Sequence, residues 1–170
     1  MKLEKNKFYS FKIKDRKQEE FGFLIEEDEE WYLIRHLFTD YMIDGYMLIN
    51  KSYVSKVNRD DKAIFTENVL IANKKTSYSL DMNIPLTTEM LFKYIFEKQI
   101  VIQIDNKDEN KCWIGKILDS TNKSIFLTPI SPVGEWDTAY YTFRKKNIRL
   151  ISFDSDYINS LLKYNESIEN

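Results

Sequence analysis

His36 and Cys112 are the only histidine and the only cysteine in the chain. With the carboxylates of Asp40 and Asp44 a few residues on, His36 has the residue types of a general base, because an imidazole titrates near neutrality and a carboxylate can orient it. No serine or cysteine stands at a spacing from it that marks a nucleophile, and half the positions of a strand face solvent, so a structural or surface role is expected. Cys112, next to Trp113, reads as a small core hydrophobe, since an activated thiolate needs a base and the only histidine is far away in sequence. One histidine and one cysteine cannot build a Cys/His zinc site or an internal disulfide. Neither a metal nor another cofactor is expected, and the protein reads as a non-enzyme. A hydrolase built on Asp44 and Asp137 stays as a third reading, which requires the two carboxyl groups to lie within roughly 5–10 Å.

Three further clusters carry possible surface chemistry. Glu26-Glu27-Asp28-Glu29-Glu30 is the densest charge run. A hard cation wants several converging oxygens, whereas a hairpin tip splays its side chains, so the run is expected to be a solvated turn that blocks edge pairing. Asp44-Gly45-Tyr46 and Gly134-Glu135-Trp136-Asp137 each set an aromatic beside a carboxylate. They are expected to occupy the same loop in two related units, and Asp44, Tyr46, Trp136 and Asp137 are the candidate residues for gripping a protein partner, because Trp and Tyr are favoured interface anchors. Arg144, Lys145, Lys146 and Arg149 form the one compact basic cluster. With Tyr140, Tyr141 and Phe143 beside them they are the candidate nucleic-acid contacts, since bases stack on aromatics and phosphates pair with cations.

Composition narrows the choice. The 170 residues include 25 Lys and Arg against 27 Asp and Glu, a net charge of −2. The first 85 residues hold 14 basic and 15 acidic side chains, and the remainder 11 and 12, so no basic tail or basic half exists. That balance disfavours nucleic acid, whose affinity comes mostly from neutralised phosphates. Four dispersed glycines give neither a G-x-G-x-x-G turn nor a Walker A loop. The segment from Met1 to Arg16 is charged throughout, and no apolar stretch approaches the roughly 20 residues of a membrane span. A cytoplasmic protein, with no membrane partner, is expected.

The elements that must position these clusters repeat. With an offset of 93 residues, Phe21-Gly22-Phe23-Leu24-Ile25 falls on Ile114-Gly115-Lys116-Ile117-Leu118, and Tyr32-Leu33-Ile34 on Ile125-Phe126-Leu127. With an offset of 94, Tyr46 meets Tyr140, Val54 meets Ile148 and Asp60 meets Asp154. Alternating apolar residues predict strands over 8–14, 20–26, 31–38, 46–50 and 54–58, and again over 99–105, 111–118, 124–130, 140–144 and 148–152. Gly22 and Gly115 fall inside strands, as at the bend of a small barrel. Thr88–Glu97 predicts a helix with Leu91, Phe92, Ile95 and Phe96 on one face, and a C-terminal helix capped by Asp154 or Ser155 carries Tyr157, Ile158, Leu161 and Leu162. Residues 60–72 are weaker as a helix, and Val69-Leu70-Ile71 reads equally well as extended.

The second repeat resembles an Sm-like small barrel, an SH3-like fold. Ile114-Gly115-Lys116-Ile117-Leu118-Asp119 followed by Ser124-Ile125-Phe126-Leu127 is similar to the first Sm signature, and Arg144-Lys145-Lys146-Asn147-Ile148-Arg149-Leu150-Ile151 to the second. The first repeat matches through Gly22, Asp28 and Ser52-Tyr53-Val54. The resemblance implies RNA binding, but Asn122 is displaced from the family's turn position and Lys145 stands where the family has glycine. The expectation is therefore a mostly β protein of two tandem five-stranded SH3/Sm-like barrels with short helices: residues 1–73, a linker at 74–86, and residues 87–170. It would act, as a monomer or homodimer, as a non-catalytic module that recognises a protein partner through barrel loops. An inhibitor or immunity-type protein is one version of this, and an Sm-like RNA-binding protein is the alternative.

Overall fold

A computed structural model describes residues 2–76 and 80–169. Ten strands and three helices follow in the order β1 (Phe8–Ile13), β2 (Glu19–Glu27), β3 (Trp31–Thr39), β4 (Met42–Asn50), β5 (Val54–Asn58), α1 (Asp61–Ala72), α2 (Thr88–Glu97), β6 (Ile102–Asp105), β7 (Cys112–Ser120), β8 (Ser124–Pro129), β9 (Tyr141–Arg144), β10 (Leu150–Phe153) and α3 (Asp156–Glu169). Among the described residues no helix is long and apolar enough to cross a membrane.

The protein is mostly β, but it does not form two closed barrels. All ten strands join one open antiparallel sheet in the order β5-β1-β2-β3-β4-β10-β6-β7-β8-β9. Each half keeps its fifth strand beside its first and then runs in sequence to its fourth. The reason it stays open lies at the junction. Each strand has one row of N–H and C=O groups per edge, and the outer edge of β4 is taken by β10, with Ile49 opposite Leu150 and Tyr46 opposite Phe153. That edge is no longer free to close on β5.

The two halves correspond in several details. Gly22 faces His36 and Gly115 faces Pro129, again 93 residues apart. A bulge follows at the same place in each half, between Leu24 and Glu26 and between Ile117 and Asp119. A Cβ on Gly22 would lie 2.3 Å from the Arg35 carbonyl oxygen, and one on Gly115 would lie 2.1 Å from that of Thr128. Only glycine lets the strands approach so closely. Short 3-10 turns at Lys51–Tyr53 and Lys145–Asn147 then lead into the fifth strands with the offset of 94.

Residues 61–72 form a helix, which settles the ambiguity of that segment. Asp60 caps it by accepting from the Ala63 N–H at 2.9 Å. Ala63 and Leu70 pack on Phe8 and Phe23 of the sheet. Between them Glu67 is buried and accepts from the Phe8 N–H at 2.8 Å and from Arg59 at 3.0 Å.

The main core spans both halves. Trp31, Leu33, Tyr46 and Leu48 from the first pack with Leu91, Phe92, Ile102 and Ile151 from the second. Trp31 meets Phe92 edge-on at 6.2 Å and donates its indole N–H to Thr88 Oγ1 at 3.0 Å. The acidic run spans the end of β2 and the β2–β3 turn, and three of its carboxylates reach partners distant in sequence. Glu26 pairs with Lys5, Glu27 with Lys51 at 2.6 Å, and Glu30 accepts from the Thr88 N–H at 2.7 Å, capping α2.

Candidate functional site

A groove of about 1440 Å³ lies between the start of α1 and the start of α3, over the strands that join the two halves. Its rim is apolar. Phe38 and Met42, beside the β3–β4 turn, are 65% and 55% exposed, and Tyr157 on α3 is 50% exposed. A hairpin end normally carries polar residues, so Phe38, Tyr41 and Met42 there are apolar surface left exposed among the described residues.

The groove lining includes a cluster of ionisable and polar side chains drawn from both halves. Arg16, Glu20 and His36 come from the first, and Gln103, Asp105 and Glu109 from the second. The His36 Nε2 lies 3.1 Å from Glu20 Oε2. This carboxylate sits on the neighbouring strand β2, whereas the sequence drew attention to Asp40 and Asp44. Arg16 donates to the Asn106 carbonyl at 2.8 Å and lies 3.6 Å from Glu20 and 4.0 Å from Glu109. Asp105 is buried, and burial pushes its carboxyl above the usual range, although Gln103 donates to Oδ2 at 2.9 Å and opposes the shift. Among the described residues no hydroxyl or thiol hydrogen-bonds His36. Nor, among those residues, do three or more His, Cys, Asp or Glu side chains converge as a metal site.

Two of the four residues first singled out for partner contact reach this groove. Asp44 and Tyr46 line it, but from within β4 rather than from a loop. Asp44 accepts from the Asp156 N–H at 2.8 Å and so caps α3. Tyr46 is only 7% exposed, stacks on Phe153 at 5.4 Å and lies under Arg35. Trp136 and Asp137 lie in the loop before β9, away from the groove. Trp136 is half-buried, with Lys116 5.3 Å from its ring centroid, and Asp137 accepts from the Ala139 N–H at 3.0 Å. The two aromatic–carboxylate pairs therefore do not occupy equivalent loops.

The basic cluster is divided by the fold. Arg144 and Lys146 are exposed. Lys145 is buried with its ammonium 5.7 Å from the Phe92 ring centroid, and burial lowers its pKa against the pull of Glu89. Arg149 is buried as well. It donates to the Lys14 carbonyl and to Asp15, and lies over Tyr53, tying the second half to the β1–β2 turn of the first. Cys112 is exposed at the start of β7, where partial burial and then the nearby Asp105 raise its pKa, the opposite of an activated thiolate.

Sequence reasoning did not find Arg16, Glu20, Asp105, Phe38 or Tyr157 as neighbours, because they come from five separate elements or turns. The one available signal was the apolar end of the β3–β4 hairpin. No protein-family model matches this chain, and no curated protein or solved structure matches it either.

Proposed function

We propose that this protein is a non-catalytic binding module that takes a segment of a partner protein in the groove between α1 and α3. One observation carries the reading: a groove of about 1440 Å³ is rimmed by uncovered Phe38, Met42 and Tyr157. Small-molecule sites are typically ~300–1,000 Å³ and more enclosed, so the size supports a macromolecular occupant. Exposed aromatic and Met side chains supply the apolar anchors that protein interfaces favour. The strand order that both halves share supports the likeness to Sm/SH3-like small barrels, here opened and fused edge to edge. An inhibitor or immunity-type protein that acts as a monomer or homodimer is one version of this reading. The RNA-binding alternative has less support, since Lys145 and Arg149 are spent on internal contacts.

A photo-crosslinking residue in place of Phe38 or Met42 tests the groove in cells. The expected result is a discrete protein adduct at these positions and none at Leu118, which is equally exposed on the second half. Equal labelling at all three positions, or none at the groove, would sink the reading.

A further inference from the structure

The charge of the groove specifies its occupant. Its lining contains eight carboxylates, with Arg16 and Lys62 as the only full cations, although the whole chain carries a net charge of only −2. The fold thus gathers negative charge into one concavity. Arg16 is engaged inside the protein by Asn106, Glu20 and Glu109, while the exposed Lys62 stands 6.0 Å from the Phe21 ring centroid. Several carboxylates are engaged too. Glu20 lies against His36, and Asp44 and Asp60 cap helices. By contrast, the side chains of Glu19, Asp40 and Asp156 have no ion pair or hydrogen bond among the described residues. They come from β2, the β3–β4 turn and the start of α3, so they border the same groove from different elements. Beside them stand Phe38, Met42 and Tyr157.

Resting on the groove-binding reading above, we infer that the occupant is a short basic segment of polypeptide that also carries apolar side chains. Lysine or arginine side chains of the segment meet Glu19, Asp40 and Asp156, and its apolar side chains cover Phe38, Met42 and Tyr157. A low-dielectric concavity lined by one sign of charge focuses the field on the opposite sign, and complementary potentials fix partner choice more than raw affinity. The same field repels phosphate, which sets this site against nucleic acid.

The test uses the full chain and three fluorescein-labelled twelve-residue peptides. All alternate leucine with a second residue: lysine, glutamine or glutamate. Anisotropy titrations at low salt should show the lysine peptide binding about tenfold or more tighter than the glutamine peptide, and the glutamate peptide weakest, with the gap closing at high salt. The Glu19→Gln, Asp40→Asn, Asp156→Asn triple variant should weaken the lysine peptide by about tenfold at low salt and leave the glutamine peptide unchanged. Phe38→Ser should weaken both. Circular dichroism and thermal melts of each variant establish that it is folded.

Equal binding of the lysine and glutamine peptides would overturn the charge assignment while leaving groove binding intact. Undiminished binding of the lysine peptide to the folded triple variant would also overturn it. Displacement of the peptide by spermine, with no loss on Phe38→Ser, would identify a polyamine-type site and overturn it as well. If no peptide binds, the inference falls, and the crosslink at Phe38 decides separately whether the groove takes a protein.

Discussion

An alanine Cβ at position 22 would stand 2.3 Å from the Arg35 carbonyl oxygen, and one at position 115 would stand 2.1 Å from that of Thr128. Both obstacles are backbone, so neither can swing aside. Gly22→Ala and Gly115→Ala should each cost about 2 kcal/mol through overpacking, lowering Tm by roughly 4–8 °C for a chain of this size. A thermal melt unchanged within a degree would refute the close approach at that strand pair. Asp105 makes a different prediction. Burial raises its carboxyl, so the folded state holds that proton to a higher pH than the unfolded chain does. The native state binds more protons there, and stability falls as pH rises from the ordinary carboxylate range through the raised value. Asp105→Asn keeps an oxygen to accept from Gln103 and removes the titration. Urea denaturation from pH 4 to pH 8 should show the variant gaining on the wild type as pH rises, and a difference independent of pH would exclude this account. Sequence gave Gly22 and Gly115 away because glycine inside an apolar alternation is itself a local signal. Asp105 carried no such signal, since its burial comes from neighbours on other strands.

At the scale of elements, α1 and α2 are held by contacts of opposite kinds. The Asp60 carboxylate caps α1 from within its own segment, at 2.9 Å from the Ala63 N–H. Asp60→Ala should cost about 1 kcal/mol, read by chemical denaturation, whereas Asp61→Ala, which makes no such bond, should cost little. A loss equal at both positions would mean that the cap contributes nothing specific. The first turn of α2 instead depends on Glu30, 58 residues earlier, and on the Trp31 indole bonded to Thr88. The α2 helix was readable from sequence because Leu91, Phe92 and Ile95 recur on one face. The α1 helix was ambiguous, because Thr66 and Asn68 weaken it and Val69-Leu70-Ile71 reads equally well as extended, and its buried side includes Glu67, a residue usually left to solvent. What permits Glu67 inside is the paired Arg59 and the otherwise open Phe8 N–H, and neither partner is visible along a helix.

At the scale of the whole molecule, the two halves share a sheet, a core and a groove. Separating them would strip β10 from β4 and expose Trp31, Leu33 and Leu48, which pack against the second half. Unfolding should therefore be one cooperative transition, with calorimetric and van't Hoff enthalpies equal. Two resolved transitions in a calorimetric scan would show instead that the halves are energetically independent. By itself the sequence indicated most of the strands, the paired strand glycines 93 residues apart and the helix at 88–97, since alternation, glycine placement and helical spacing are all properties of neighbouring residues. The tertiary structure alone decided that two expected barrels become one open sheet, because edge pairing between β4 and β10 depends on which strand reaches a free edge. It also decided the binding surface. A net charge of −2 and two halves of equal balance say nothing of a negative groove. That groove exists only because residues from 8 to 160 are brought around one concavity while cations such as Lys145 and Arg149 are drawn into internal contacts.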